Sequence, residues 1–202
     1  LQSSEEVYGY QTRLPLQEDA PLNPTNVYGA SKAAQELLAG AYRHSFGLPV
    51  TILRSSTIIG PGMRRTQVIP IFLDQALSGE PLTIQGDGQQ SRDFNSVDNH
   101  VDALVAALTN REAIGQVINV GSGVERSIRE VAAKCLWIAA SASKLKFLPQ
   151  RPGEQDLRVV LDISRARELL GYTPKVAFEN ELERMCTWLT KELYPTPLPV
   201  TA

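Results

Sequence analysis

The chain has 202 residues, enough for a domain with its own core, with 43% hydrophobic and 21% charged residues and a formal net charge of -2. That balance gives no reason to expect nucleic acid or a membrane as a partner, and no run of about eighteen apolar residues is present to span a bilayer. Cys135 and Cys186 are far apart in sequence and lack metal-ligand spacing, so they read as reduced thiols in a cytoplasmic protein.

The sequence opens Leu1-Gln2-Ser3-Ser4, without an initiator Met or a signal-peptide pattern. Residues 10–26 are rich in Pro, Asn, Gln and acids and predict a loop. A helix is expected from Asn26 to about Phe46, with an apolar stripe of Ala30, Ala33, Ala34, Leu37, Leu38 and Ala41 and a stop at Gly47. Leu48 to Arg54 reads as a buried strand, so the two form the αβ half of a βαβ unit. After a turn at Gly60-Pro61-Gly62, a helix is expected over Val68–Ser78. A short strand follows at Leu82-Thr83-Ile84, closed by Gly86-Asp87-Gly88. Val97–Leu108 predicts a helix with Val101, Leu104, Val105 and Leu108 on one face, and Gln116–Val120 a strand ending at Gly121-Ser122-Gly123. Ser127 and Glu130 form a capping box for another helix. Phe147–Arg151 is expected to be extended. Ile163–Leu170 is a helix stopped by Gly171, Phe178–Leu193 a last amphipathic helix, and the tail bearing Pro195, Pro197 and Pro199 is frayed.

Tyr28 and Lys32 stand four apart at the start of a helix, which puts both on one face. A free phenol titrates near 10, and a nearby ammonium favours the phenolate, so the pair is a plausible acid/base device. Alone, the pattern is common by chance, and a surface Lys beside a packed Tyr is the plainer reading.

The surrounding motifs change that. Ser3-Ser4-Glu5-Glu6-Val7-Tyr8-Gly9 stands upstream of Tyr28-Gly29-Ala30-Ser31-Lys32. Arg54-Ser55-Ser56-Thr57-Ile58-Ile59-Gly60-Pro61, Gly86-Asp87-Gly88-Gln89-Gln90-Ser91-Arg92-Asp93-Phe94, Asn119-Val120-Gly121-Ser122-Gly123, Arg151-Pro152-Gly153-Glu154 and Leu170-Gly171-Tyr172-Thr173-Pro174 follow in order. Together they resemble the extended short-chain dehydrogenase/reductases that act on nucleotide sugars, the NAD-dependent epimerase/dehydratase family, over nearly the whole chain.

The resemblance implies an α/β fold. It comprises the C-terminal part of a Rossmann-like parallel sheet with its helices, and a smaller mixed α/β substrate domain. Residues 1–60 would be what remains of the cofactor domain with the catalytic helix, residues near 97–123 would return to it, and 61–202 would be mainly substrate domain. It implies epimerisation or 4,6-dehydration of a nucleotide-diphosphate sugar through a 4-keto intermediate, with nucleotide-glucuronate decarboxylation as an alternative subtype. Tyr28 would exchange the proton of a sugar hydroxyl, Lys32 would favour its phenolate and bind the nicotinamide ribose, and Ser4 would orient the same oxygen. Tyr28, Lys32 and Ser55 would contact NAD or NADP. Thr57, Gln67, Arg92, Asn119 and Arg151 would hold the substrate, the two arginines at its diphosphate. Glu5 and Glu6 stand where the 4,6-dehydratases carry Thr-Asp-Glu or Thr-Ser-Glu, which makes Glu6 a candidate base for the C5 proton and Glu5 a candidate acid. A homodimer through the Tyr28–Phe46 helix is also implied.

Thr57, Gln67, Ser96 and Asn99 depart from residues common in the family. The Gly-rich dinucleotide turn expected between a first strand and helix is not found in this sequence. By the resemblance, roughly the first hundred residues of the cofactor domain are missing. Two readings therefore stand: an enzyme whose N-terminal part lies outside this sequence, and a non-catalytic truncated remnant acting as an interaction module.

Overall fold

The computed structural model describes residues 1–150 and 157–193. In chain order the elements are β1 (Gln2–Ser4), a 3-10 turn (Glu5–Val7), α1 (Val27–Phe46), β2 (Ile52–Ser55), β3 (Thr57–Ile59), α2 (Val68–Leu77), β4 (Leu82–Gln85), β5 (Ser91–Ser96) and α3 (Val97–Thr109). Then come β6 (Val117–Val120), β7 (Glu125–Ser127), α4 (Ile128–Ile138), β8 (Leu145–Leu148), α5 (Ser164–Leu170) and α6 (Phe178–Leu193). The described residues fall into two compact units. One contains 1–58, 91–126 and 157–176, the other 59–90, 127–150 and 177–193.

In the first unit, β1, β2 and β6 form a parallel sheet in the order β1-β2-β6, with Ser4 opposite Ser55 and Ser55 opposite Val120. β1-α1-β2 is thus a complete βαβ unit. A second sheet runs in the order β3-β5-β7. The core gathers Val7, Tyr8, Leu53, Ile118, Val120, Leu161, Ile163 and Tyr172. In the second unit β4 pairs in parallel with β8. Helices α2, α4 and α6 pack on one another, burying Ile69, Phe72, Leu73, Val131, Cys135, Leu182, Met185 and Leu189.

Helix α1 starts where Asn26, in extended backbone, accepts a hydrogen bond from the Gly29 amide at 2.8 Å. It stops at Gly47, whose φ of 67° supplies the left-handed cap. Its inward face differs from the expected apolar stripe: Gly29, Ala33 and Glu36 are buried, while Leu37 and Leu38 are 70% and 60% exposed. The reason is Glu36, which turns inward to meet Arg54 of β2. Arg54 Nη2 lies 2.8 Å from Glu36 Oε2, and both side chains are almost wholly buried. Arg54 Nε also donates to both Glu36 oxygens, and Ser3 Oγ of β1 donates to Oε1.

Arg54 Nη1 donates to the Tyr8 hydroxyl and to the Glu18 carbonyl, each at 3.0 Å. Helix α3 is turned in the same way. Asn99, His100 and Ala103 are buried, while Val101, Val105 and Leu108 of the expected apolar face lie exposed.

The strand expected over Leu48–Arg54 is confined to Ile52–Ser55, because the left-handed Gly47 and Pro49, which has no amide hydrogen, delay pairing. The helices over 68–77, 97–109, 164–170 and 178–193 lie within a residue of expectation, and the Ser127–Glu130 capping box forms. β8 is extended as expected near Phe147. Arg151 and the Pro195–Pro199 tail lie outside the described residues.

Removing one member of a buried ion pair leaves the other charge without compensation, at a cost of about 3–5 kcal/mol. Glu36→Ala is therefore expected to destabilise the first unit by about that amount, and Glu36→Leu with Arg54→Met to recover most of it. Both tryptophans, Trp137 and Trp188, lie in the second unit. Hydrogen exchange of the β1 and β2 amides, not tryptophan fluorescence, is the suitable measurement. Unchanged protection in Glu36→Ala would show that the pair is dispensable.

Candidate active site

Ser4 ends β1 and caps the 3-10 turn, its hydroxyl accepting from the Glu6 amide at 3.2 Å. The first turn of α1 rests directly on this segment. A Cβ on Gly29 would collide with the Glu6 carbonyl oxygen, so only glycine permits the approach. Asn26 links the two a second time. While its Oδ1 caps α1, its Nδ2 donates to Glu6 Oε2 at 2.8 Å. The structure thereby brings Ser4, Glu6, Tyr28 and Lys32 to one end of the βαβ unit, at the carboxyl end of its parallel strands, where open α/β sheets bind ligands. Asn26 carried no functional signal in the sequence beyond its place before the helix.

Tyr28 is 54% exposed, with the Lys32 ammonium 5.9 Å from its ring centroid. Lys32 Nζ donates to the Gln2 carbonyl at 3.1 Å and to Gln35 Oε1 at 3.5 Å, which anchors the amine to β1 while leaving its third donor for another partner. A phenol open to the surface, next to an anchored ammonium and a serine hydroxyl, can hold or move a proton at a bound hydroxyl.

Glu5, although adjacent, is placed differently. Its side chain is buried, Oε1 accepts from Thr57 Oγ1 at 2.9 Å, and among the described residues Oε2 has no hydrogen-bond partner. Burial pushes its carboxyl from an ordinary 4.5 up to about 8. The Asp93 charge adds to this, Arg92 and the Thr57 hydroxyl oppose it, and Glu6 adds a little more.

Ser55 and Asn119 are not where a ligand could use their side chains. Ser55 Oγ is buried, accepts from Gln2 Nε2 at 2.5 Å and lies 3.2 Å from His100 Nδ1; His100 Nε2 is in turn 3.0 Å from Gln2 Oε1. Burial holds the His100 imidazole below its ordinary value. Asn119 is fully buried. Its Oδ1 accepts from the Tyr8 hydroxyl at 2.6 Å and its Nδ2 donates to the Leu16 carbonyl at 2.8 Å, so it ties the 8–18 loop to β6. Thr57 and Arg92 are partly exposed, and among the described residues the Arg92 guanidinium gives one hydrogen bond, to the Ser91 carbonyl. Gln67 opens α2 in the second unit without a side-chain cap bond. Arg151 lies outside the described residues.

Asp93 builds the Gly121-Ser122-Gly123 turn. It accepts from Ser122 N at 2.8 Å, Ser122 Oγ at 2.6 Å, Gly123 N at 3.0 Å and Leu161 N at 3.3 Å. The departures have structural work as well. Ser96 caps α3, accepting from Asp98 N. Asn99 Oδ1 accepts from the amides of Lys175 and Val176, both at 2.9 Å. Among the described residues, no cluster of three metal-ligating side chains occurs, and no helix is long and apolar enough to cross a membrane.

Residues 1–185 match the family model described as GDP-mannose 4,6 dehydratase. dTDP-glucose 4,6-dehydratase of Haemophilus influenzae is 34% identical over 200 residues, covering 92% of this chain and 59% of the relative. The crystal structure of UDP-glucuronic acid 4-epimerase from Bacillus cereus, in complex with UDP-glucuronic acid and NAD, superposes with a TM-score of 0.88 at 35% identity. That match covers 96% of this chain and 61% of the epimerase. dTDP-glucose 4,6-dehydratase from Bacillus anthracis, in complex with NAD, superposes with a TM-score of 0.86 at 28% identity, covering 94% of this chain and 60% of that one. The chain thus spans less than two thirds of the length of these relatives.

The raised Glu5 carboxyl has a consequence for stability. The folded protein keeps a proton there that the unfolded chain releases above about 4.5, so this contribution is complete below that pH and is lost as pH rises through about 8. Between those values wild type is expected to lose up to ~1.4 kcal/mol per pH unit relative to Glu5→Gln. The raised Asp93 acts in the same sense and the depressed His100 in the opposite one; while Glu5 is neutral both act equally in the two proteins and cancel. Urea unfolding of the pair at pH 5, 6.5 and 8 measures the difference; parallel pH curves would mean that Glu5 is ionised in the fold.

Proposed function

Because the chain belongs to the GDP-mannose 4,6-dehydratase family, within the extended short-chain dehydrogenase/reductases, we propose that it supplies the proton-transfer centre of an NAD-dependent enzyme acting on a nucleotide-diphosphate sugar through a 4-keto intermediate. The observation that carries this reading is the pairing of surface-open Tyr28 with the β1-anchored Lys32, beside Ser4 at the strand end.

The residues present fit the nicotinamide-ribose end of such a cofactor. Lys32 keeps a donor for a ribose hydroxyl, and Tyr28 is exposed next to it. Ser55 does not fit as a side-chain contact, since its hydroxyl is engaged below the surface. NAD, when bound, would accept and return the hydride of the sugar carbon. The chain's own residues do the rest. Tyr28 Oη takes the proton of the sugar hydroxyl, Lys32 supports its negative charge, and Ser4 Oγ orients the same oxygen. Thr57 and Arg92, partly exposed in the first unit, would bind the diphosphate.

Glu6 favours dehydration over simple epimerisation. A 4-ketone makes the C5 proton acidic, and a carboxylate steered by Asn26 beside the Tyr28 turn is suited to remove it. The exposed Leu37, Leu38, Tyr42 and Phe46 on α1 support a homodimer formed through that helix.

The reading is tested by incubating the protein and NAD with UDP-glucose, dTDP-glucose and GDP-mannose and following 4-keto-6-deoxy product and 4-epimer separately. Tyr28→Phe is expected to lower turnover by about 10²–10⁴-fold while leaving nucleotide-sugar binding intact; unchanged turnover would remove the proton-transfer role. Glu6→Gln is expected to block the 4-keto-6-deoxy product while hydride transfer to NAD persists. A protein that yields only the 4-epimer would reject the dehydratase subtype.

A further inference from the structure

The proton-transfer scheme leaves Glu5 unused, although it stands between Ser4 and Glu6. Glu5 is almost wholly buried, and among the described residues its carboxyl has one hydrogen-bond partner, the Thr57 hydroxyl, at 2.9 Å. The groups that face it electrostatically are Asp93 and Arg92 of β5 and Glu6 of its own turn. Asp93 is also buried, but its two oxygens accept four hydrogen bonds from Ser122, Gly123 and Leu161. Burial raises the Asp93 carboxyl as well, with those four hydrogen bonds opposing the rise; of two neighbouring buried carboxyls, the one with a single donor is the better holder of a proton.

The position of that proton follows from Oε2, which is buried without a hydrogen-bond partner among the described residues. A proton there would be an unsatisfied buried donor, whereas a bare carbonyl oxygen is the milder deficiency. With the carboxyl neutral the proton therefore sits on Oε1, and the 2.9 Å contact in which Thr57 Oγ1 donates to a carboxylate reverses, Oε1 now donating to Thr57 Oγ1. A hydroxyl that accepts from one side is free to donate on the other. Thr57, unlike Glu5, is partly exposed.

We propose that Glu5 is a positioning residue that, as a neutral acid, turns the Thr57 hydroxyl hydrogen outward and so makes Thr57 a donor to a phosphate oxygen of the nucleotide-diphosphate sugar. This rests on the substrate class given under Proposed function. When Glu5 ionises, the Thr57 hydrogen turns back to the carboxylate and its lone pairs face the anion. The device thus works at neutral pH and fails in mild alkali. It also accounts for a threonine at this position: its hydroxyl can be either donor or acceptor, and the residue behind it decides which.

Calorimetric titration of the protein with UDP-glucose, dTDP-glucose and GDP-mannose at pH 6.5 and 9 tests it, since the diphosphate diester does not change charge over this range. Wild-type affinity for whichever sugar nucleotide binds is expected to fall about tenfold from pH 6.5 to 9, as a carboxyl near 8 ionises. Glu5→Gln, which stays neutral, is expected to bind at pH 9 as wild type does at pH 6.5. Thr57→Val is expected to bind weakly and equally at both. A slope that persists in either variant, or its absence in wild type, overturns the proposal while leaving the substrate class standing. Failure of wild type to bind any of the three at either pH overturns the substrate class, and the proposal with it.

Discussion

The first unit depends on one buried ion pair, Arg54 with Glu36. Around it meet Ser3 of β1, Glu36 of α1, Arg54 of β2, and the Tyr8 hydroxyl and Glu18 carbonyl of the connecting loop; through Tyr8 it reaches Asn119 of β6. Two charges withdrawn from water are costly unless every lone pair and proton is matched, and here both carboxylate oxygens and all three guanidinium nitrogens have partners. Such a pair tolerates one arrangement of its surroundings. It sets the rotation of α1 about its axis, and with that the direction in which Tyr28 and Lys32 project.

This explains which parts of the fold were legible in the sequence. Helix limits were, because Asn26, Gly47, Ser127 and Gly171 are local stop and start signals whose physics involves only a few neighbouring residues. The inward face of α1 was not. Periodicity places Leu37 and Leu38 inside, since it counts apolar residues and treats Glu36 as surface. The match between Glu36 and Arg54, eighteen positions apart, exists only once α1 and β2 are packed. Short strands such as β3 and β7 escaped for a related reason: three residues carry too little alternation to be distinguished from loop.

The site divides along the same line. Tyr28, Lys32, Ser4 and Glu6 were found by motif, and they stand together because glycine at position 29 lets α1 rest on the Glu5–Val7 turn. Ser55 and Asn119 belong to motifs of the same strength, yet their side chains hold the scaffold together. Motif order reports that a position matters; it does not distinguish touching a ligand from supporting what does. Asp93, deep in such a motif, is an instance: its four hydrogen bonds shape the Gly121–Gly123 turn. Its charge also bears on Glu5.

Strand β1 is only three residues long, and each of its residues has a separate task. The Gln2 carbonyl receives the Lys32 ammonium, the Ser3 hydroxyl binds Glu36, and the Ser4 hydroxyl caps the turn that carries both glutamates. Successive residues of a strand point to opposite faces, so these tasks are interleaved in a way that no shifted register can satisfy. Exchanging Ser3 or Ser4 removes one hydroxyl's task, whereas inserting or deleting a residue displaces all three at once. The stretch is therefore held in length even more tightly than in composition, a historical constraint imposed by geometry and not by any single contact.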